Sequence, residues 1–335
     1  MQKKEKIWSI LVHLSMHMWS KTYDTLPFDD KMWEDIIRDS EKSGVNTIVL
    51  DVGDGVQFSS HPEIAMNGAW SHRRVREELR RCRDAGITLI PKLNFATPHD
   101  KWLGEYRRMV STNIYYRLAN DLIREIYDIF EKPEYIHLGF DEEDARHVQG
   151  NELAVYRQKE LYWHDLNFFY DCVADTGATP WVWSCPLYRH FEEYGKHVGV
   201  NDAVLSPWYY NAFRPEHWTP VESRAEYVAY YSEGMYKDMG IKFVEEDPYL
   251  VNFRNVTPDV IDAGYKLIPC ASVFNRCDFN TYDLVEYFKE SCPDEQILGY
   301  MTAPWVSTLP MEKNLKFYEE SFRFLKEAKD AFYGG

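Results

Sequence analysis

Tyr135-Ile136-His137-Leu138-Gly139-Phe140-Asp141-Glu142-Glu143-Asp144 is a short apolar run that ends in four consecutive acids. Tyr135 to Leu138 has the length and composition of a buried strand, and Pro133 just ahead marks its start. Gly139 lets the backbone turn or be approached closely where the acids begin. Four neighbouring carboxylates repel one another, so such a stretch is costly unless it is solvated, paired or used. Glu143 and Asp144 read as a solvated turn capping the next helix. Asp141 and Glu142 follow the buried strand directly, where a parallel α/β sheet builds its sites, and they read as chemistry.

The rest of the chain repeats the same unit. Strand-like runs alternate with amphipathic helical patterns: Ile7 to His13 then Asp30 to Ser43, Thr47 to Asp51 then His72 to Ala85, Thr88 to Asn94 then Tyr115 to Glu131. Beyond the acidic stretch come a helix over Glu152 to Asp175 and strands over Pro180 to Ser184, Ala203 to Tyr209, Lys266 to Ser272 and Ile297 to Met301. Glu312 to Ala331 is the closing helix. About eight such units predict a single (β/α)8 TIM barrel over residues 1–335, since no Ser/Gly/Pro-rich linker or repeat divides the chain. The stretch from Glu222 to Gly264, with Tyr227, Tyr230, Tyr231, Tyr236 and Glu245-Glu246-Asp247, is left unplaced by this pattern.

A formal charge of −16 in 335 residues argues against nucleic acid or an anionic membrane as partner, because phosphate binding needs clustered cations. The basic run Arg73 to Arg81 is interrupted by Glu77 and Glu78 at helical spacing and reads as a solvated helix face. The six cysteines show no C-x-x-C and no zinc spacing, which predicts buried thiols in a reducing compartment. The apolar run after Lys6 contains His13, Ser15 and His17, so it reads as a first strand rather than a signal peptide, and a cytoplasmic location is expected. No segment is long and apolar enough to span a membrane as a helix. Aromatic residues make up 16% of the chain, with 11 Trp and 24 Tyr. Flat aromatic faces stack on sugar rings, so this excess leans towards a carbohydrate ligand.

His137-Leu138-Gly139-Phe140-Asp141-Glu142 resembles the H-x-G-G-D-E signature of glycoside hydrolase family 20, the β-N-acetylhexosaminidases and their relatives, with Phe140 in place of the second glycine. The likeness extends to Gly53 through Phe58 and His61 through Ala69. It extends also to Thr88 through Asn94 followed by Thr97-Pro98-His99, where Lys92 and Asn94 replace two acids, and to the spacing from Gly299 to Trp305. The family's arginine at the end of the first strand has no counterpart; His13, His17 and Trp19 stand there.

This resemblance implies an exo-acting, retaining hydrolase in which the substrate's acetamido oxygen is the nucleophile. Asp141 would orient that group and Glu142 would be the general acid/base, its pKa raised by the apolar surroundings of Phe140 and the tryptophans. His13, Asp54, Asn94, His99, His137, Trp183, Trp208, Tyr209 and Trp305 are the expected substrate-binding residues. Neither a metal nor an organic cofactor is expected. Two other readings stay open: a glycosidase for a sugar without an acetamido group, and a carbohydrate-binding barrel without catalysis in which Phe140 blocks the pocket.

Overall fold

Alternation with a period of two sorts the strand residues into two apolar populations. Trp8, Ile10, Val12, Ile48, Leu50, Leu89, Ile136, Leu138, Val182 and Leu205 pack outward under the helices. Leu11, Val49, Ile90, Tyr135, Trp181, Trp183 and Val204 pack inward as a second core. A sheet buried on both faces and curled round its own inner core is what those two populations require.

The computed structural model describes residues 5–18, 22–148, 151–214, 217 and 248–334. Trp19, Tyr227, Tyr230, Tyr231, Tyr236 and Glu245-Glu246-Asp247 lie outside the described residues. The strands are β1 (Ile7–His13), β2 (Thr47–Asp51), β3 (Thr88–Lys92), β4 (Tyr135–Gly139), β5 (Thr179–Trp183), β6 (Val204–Ser206), β7 (Lys266–Leu267), β8 (Cys270–Ala271) and β9 (Gly299–Thr302). All are parallel, in the order β7-β6-β5-β4-β3-β2-β1-β9-β8.

β7 and β8 share one position of the ring. The sequence reads Lys266 to Ser272 as one strand, and Pro269, which has no N–H to give a ladder, splits it. β7 pairs with β6 and β8 with β9, while the bridges Trp208↔Cys270 and Leu267↔Ile297 tie each half to the other neighbour. Ile268 N–H donates to Leu205 and Met301 N–H to Pro269, both at 2.9 Å. The ring therefore closes with eight positions, the TIM barrel expected from the sequence.

Helices cover the outside, among them Asp30–Ser43, His72–Asp84, Asn113–Ile129, Asn280–Ser291 and Glu312–Tyr333. Their ends follow local chemistry: the Asp29 side chain accepts from Met32 N–H, and Gly44 closes the first helix at φ 73°. The helix expected from Glu152 is shorter and runs from Lys159 to Ala174, because Arg157 is drawn into the core by an acid described below. None of the described helices is long and apolar enough to cross a membrane. All six cysteines are buried and none is disulfide-bonded.

One row of the barrel interior is polar. His13 lies opposite Asp51, Asp51 opposite Lys92 and Lys92 opposite His137, in consecutive strands at one register. All four are buried. Lys92 donates to the Asp51 carboxylate, and His13 Nδ1 lies 3.2 Å from the same oxygen. Burial alone would push the Asp51 carboxyl up, but the Lys92 ammonium and the His13 ring outweigh it and hold it below the usual range. Burial also pushes His13 and His137 down, so both imidazoles are neutral.

Removing one partner of a buried ion pair leaves the other charge unpaired. Asp51→Asn is therefore expected to cost about 3–5 kcal/mol of stability, read as a lower urea midpoint. The volume-matched double change Asp51→Leu with Lys92→Met should recover most of it. A single variant as stable as the parent would show that Lys92 finds another counter-charge.

Candidate active site

β4 carries the acids, and its exit is conformationally unusual. Gly139, Phe140 and Glu142 have φ of 75°, 61° and 56°, left-handed values that cost a non-glycine residue about 1 kcal/mol or more. At Gly139 the conformation is obligatory in another sense, since a Cβ there would lie 1.9 Å from Asn94 Oδ1. The register against β5 slips between His137 and Gly139, and Gly139 N–H donates to His137 Nδ1 at 3.0 Å. That bond fixes the His137 tautomer with its proton on Nε2.

The four acids then separate. Asp141 Oδ1 accepts from Asn94 Nδ2 at 2.9 Å, and Asn94 is itself fixed because its Oδ1 accepts from Ala96 N–H at 3.0 Å. His99 Nε2 lies 3.3 Å from both Asp141 Oδ2 and Glu142 Oε2, and the other ring nitrogen faces the Met18 carbonyl at 3.3 Å. One imidazole thus sits between the two carboxylates.

Burial opposes charge on His99, yet the two carboxylates outweigh it and raise its pKa to about 10. For Asp141, burial pushes up, and His99, Lys92 and Asn94 pull further down, leaving it well below the carboxylate range. Glu142 is likewise lowered, against its burial, first by the hydrogen bond from His99. This corrects the expectation of a raised Glu142: the cation bonded to it decides the sign, and Phe140 is not beside it. The Phe140 ring is buried in the outer core, 5.2 Å from Phe169 with the Arg157 guanidinium 5.0 Å from its centre. It does not obstruct the mouth.

Glu143 is not a solvated turn residue either. Its side chain is 2% exposed and receives Arg157 Nε at 2.7 Å, Arg157 Nη2 at 2.9 Å and the Arg157 backbone N–H at 2.8 Å. Asp144 does cap the short helix Ala145–Val148, accepting from His147 N–H at 3.0 Å, and it also pairs with Arg189 Nη1 at 2.7 Å.

The remaining expected residues fall into three places. Trp183, Trp208 and Trp305 converge at the mouth: Trp305 lies 5.6 Å from Trp183, and Trp208 and Trp305 lie 4.9 Å and 6.3 Å from Tyr210. His13 and His137 belong to the polar row beneath, where His137 packs 5.0 Å from Trp183. Asp54 is engaged by Ser15 Oγ and, at 2.6 Å, by His17 Nδ1, which shapes the β1 and β2 exits. Tyr209 departs from expectation: its ring stacks on Phe213 at 5.6 Å in the outer core, and Tyr210 faces the mouth instead. Sequence reasoning also passed over His147, Cys185, Tyr188, Arg189, Tyr249 and Asn252, which line an open cleft with Glu142 and Trp208. The D-x-x-H spacing of Asp144 and His147, a cap followed by a first-turn side chain, was the available signal for His147.

His99, Asp141 and Glu142 present donor atoms within 4.8 Å of one another. An imidazole between two carboxylates can share a proton among three sites, and Glu142 alone of the three lines the cleft.

No family model and no curated protein matches the sequence. Solved structures do. The chain resembles a GH20 exo β-N-acetylglucosaminidase from Vibrio harveyi in complex with N-acetylglucosamine at TM-score 0.63 and 12% identity, covering 97% of this chain and 54% of that one. It resembles the N-acetyl-β-hexosaminidase of Streptomyces plicatus at TM-score 0.62 and 14% identity, covering 96% and 63%. The β-N-acetylhexosaminidase of Bacteroides fragilis gives 0.60 and 13%, covering 96% and 65%. The chain therefore spans less than two-thirds of these proteins' length, and at such identities the likeness is one of fold: the barrel of the family 20 hydrolases.

The shared imidazole has a pH signature. The folded pKa of His99, about 10, lies above its ordinary 6.5, so its stabilisation is complete below 6.5 and drains away as pH rises towards 10. Asp141 and Glu142 are depressed, so their contribution is present above 3.8 and 4.5 and is lost as pH falls through their folded values. Urea midpoints should fall from pH 6.5 to pH 10 in the parent and much less in His99→Phe. An equal alkaline decline in both proteins would remove His99 as its source.

Proposed function

We propose that the chain is a glycoside hydrolase of the β-N-acetylhexosaminidase type, exo-acting and retaining, in which the substrate's own acetamido oxygen attacks the anomeric carbon. The observation that carries the proposal is the pair of adjacent carboxylates at the mouth of a barrel of family 20 shape, one fixed by Asn94 and both facing His99.

The chemistry divides between the two acids. Asp141, buried and held ionised, is suited to accept the acetamido N–H, turn its oxygen towards C1 and offset the positive charge of the oxazolinium that forms. Glu142, at the cleft wall, gives a proton to the departing oxygen and later takes one from the attacking water. In the free protein Glu142 is ionised and the proton resides on His99. Bringing a sugar between these groups excludes water, which disfavours the charged carboxylate and increases its affinity for a proton. Trp208, Tyr210 and Trp305 offer ring faces for the sugar, with Trp183 as floor.

A second reading keeps the barrel and the acids but takes a sugar without an acetamido group. The end of β1 favours it: His13 is committed to Asp51, and among the described residues that follow it, Leu14 to Met18, there is no arginine or lysine to grip hydroxyls.

The two readings separate on a substrate panel. Turnover of 4-nitrophenyl N-acetyl-β-D-glucosaminide, with Glu142→Gln lowering kcat by about 10²–10⁴ and leaving circular dichroism unchanged, is the expected result. Asp141→Ala should also abolish inhibition by a thiazoline analogue. Turnover of plain glycosides alone would select the second reading, and a Glu142→Gln protein as active as the parent would end both.

A further inference from the structure

Glu142 has two oxygens, and each faces a different imidazole. Oε2 lies 3.3 Å from His99 Nε2, and Oε1 lies 3.5 Å from His147 Nε2. The two histidines differ in kind. His99 is buried, while the His147 side chain is 23% exposed and lines the cleft. The His147 ring is aimed from behind: Nδ1 lies 2.9 Å from both oxygens of Asp144, whose Oδ2 is held by Arg189 Nη1 at 2.7 Å. The result is a directed chain, Arg189 to Asp144 to His147 to Glu142, running along the cleft wall. A carboxylate behind an imidazole fixes the tautomer and turns the far nitrogen towards its target.

The hydrolysis proposed above needs Glu142 protonated at its start, and the proton shared with Asp141 is kept by His99. A second proton source on the solvent side of Glu142 resolves this. We propose that His147 is the positioning residue that loads Glu142 with its catalytic proton from the cleft. The inference rests on the glycosidase reading of this site and goes beyond it.

The His147 imidazolium gives its Nε2 proton to Glu142 Oε1 and becomes a neutral ring whose remaining Nδ1 proton is held by Asp144. Glu142 gives that proton to the glycosidic oxygen as the C1–O bond breaks and the acetamido oxygen bonds to C1. The Glu142 carboxylate then takes a proton from the water that attacks C1 and reopens the ring. Glu142 then passes that proton back to His147 Nε2, which restores the starting imidazolium and carboxylate, so the cycle takes no net proton from solvent. At 3.5 Å, His147 and Glu142 are a small side-chain rotation or one bridging water from a hydrogen bond, the looseness expected of a site without substrate.

The test uses the whole chain with His147→Asn and two N-acetyl-β-D-glucosaminides, one methyl and one 2,4-dinitrophenyl. The methyl glycoside needs its leaving oxygen protonated and the dinitrophenyl glycoside does not. The loss in kcat/KM is expected to be about tenfold or more greater for the methyl glycoside, and added imidazole should restore part of it. Equal losses on both substrates, or none, overturn the proposal, because a merely structural role would not depend on the leaving group. A second arm does not need turnover. The histidine ring signals are followed by NMR across pH in the parent and in Glu142→Gln, with Asp144, Arg189, His99 and Asp141 retained. Removing the Glu142 charge should move the His147 ring signals at a given pH, and unmoved signals refute the coupling. A parent protein that hydrolyses no glycoside would instead remove the hydrolase reading, while the NMR arm still decides whether His147 and Glu142 exchange charge.

Discussion

The salt link between Lys92 and Asp51, closed inside the barrel and flanked by His13 and His137, constrains everything above it. A buried pair of this kind contributes little net stability, because desolvation cancels much of the attraction. What it enforces is register. Slipping β3 by one residue would turn Lys92 outward among Leu50, Leu89 and Leu138, where no acid could meet it. With β1 through β4 locked in phase, the exits of β3 and β4 finish level. Asn94, two residues past Lys92, can then reach Asp141, two residues past Gly139.

The second constraint is the strained exit of β4. Two non-glycine residues in left-handed conformation persist only if their surroundings over-determine them. Here Glu143 supplies the anchor. Its bidentate pairing with Arg157, whose guanidinium also donates to the Phe95 carbonyl at 2.6 Å, nails down the residue after Glu142. Asp144 fixes the next position through the helix it caps. The acids that looked redundant in sequence hold the two that face the mouth.

Much of this was legible in the residues. The strand alternation that separates the inner and outer cores is local, so the barrel and the place of Asp141 and Glu142 could be read directly. The same alternation, carried past β6, puts Trp208 and Tyr210 inward and Tyr209 outward. Choosing Tyr209 came from treating the aromatic exit as a cluster rather than as a continuing pleat. Other features were not local. The sign of the Glu142 shift depends on His99, more than forty residues earlier, and the burial of Glu143 depends on Arg157 reaching back across a helix start. The division of the seventh strand follows from Pro269, visible in sequence, but its consequence appears only when both neighbouring strands are in place.

Phe140, the departure from the family pattern, can be weighed directly. Placing a phenylalanine where the backbone has φ 61° costs about 1–2 kcal/mol relative to glycine. Burying its ring beside Tyr162 and Phe169 contributes about 1.5–3 kcal/mol, and the Arg157 guanidinium over its face adds a favourable contact at 5.0 Å. The balance is neutral or favourable. A glycine at this position would free the backbone and leave a hole beside the guanidinium that holds Glu143. The exchange of glycine for phenylalanine therefore trades conformational freedom for a packed support under the acids, and it does so on the face of the strand that points away from the barrel interior.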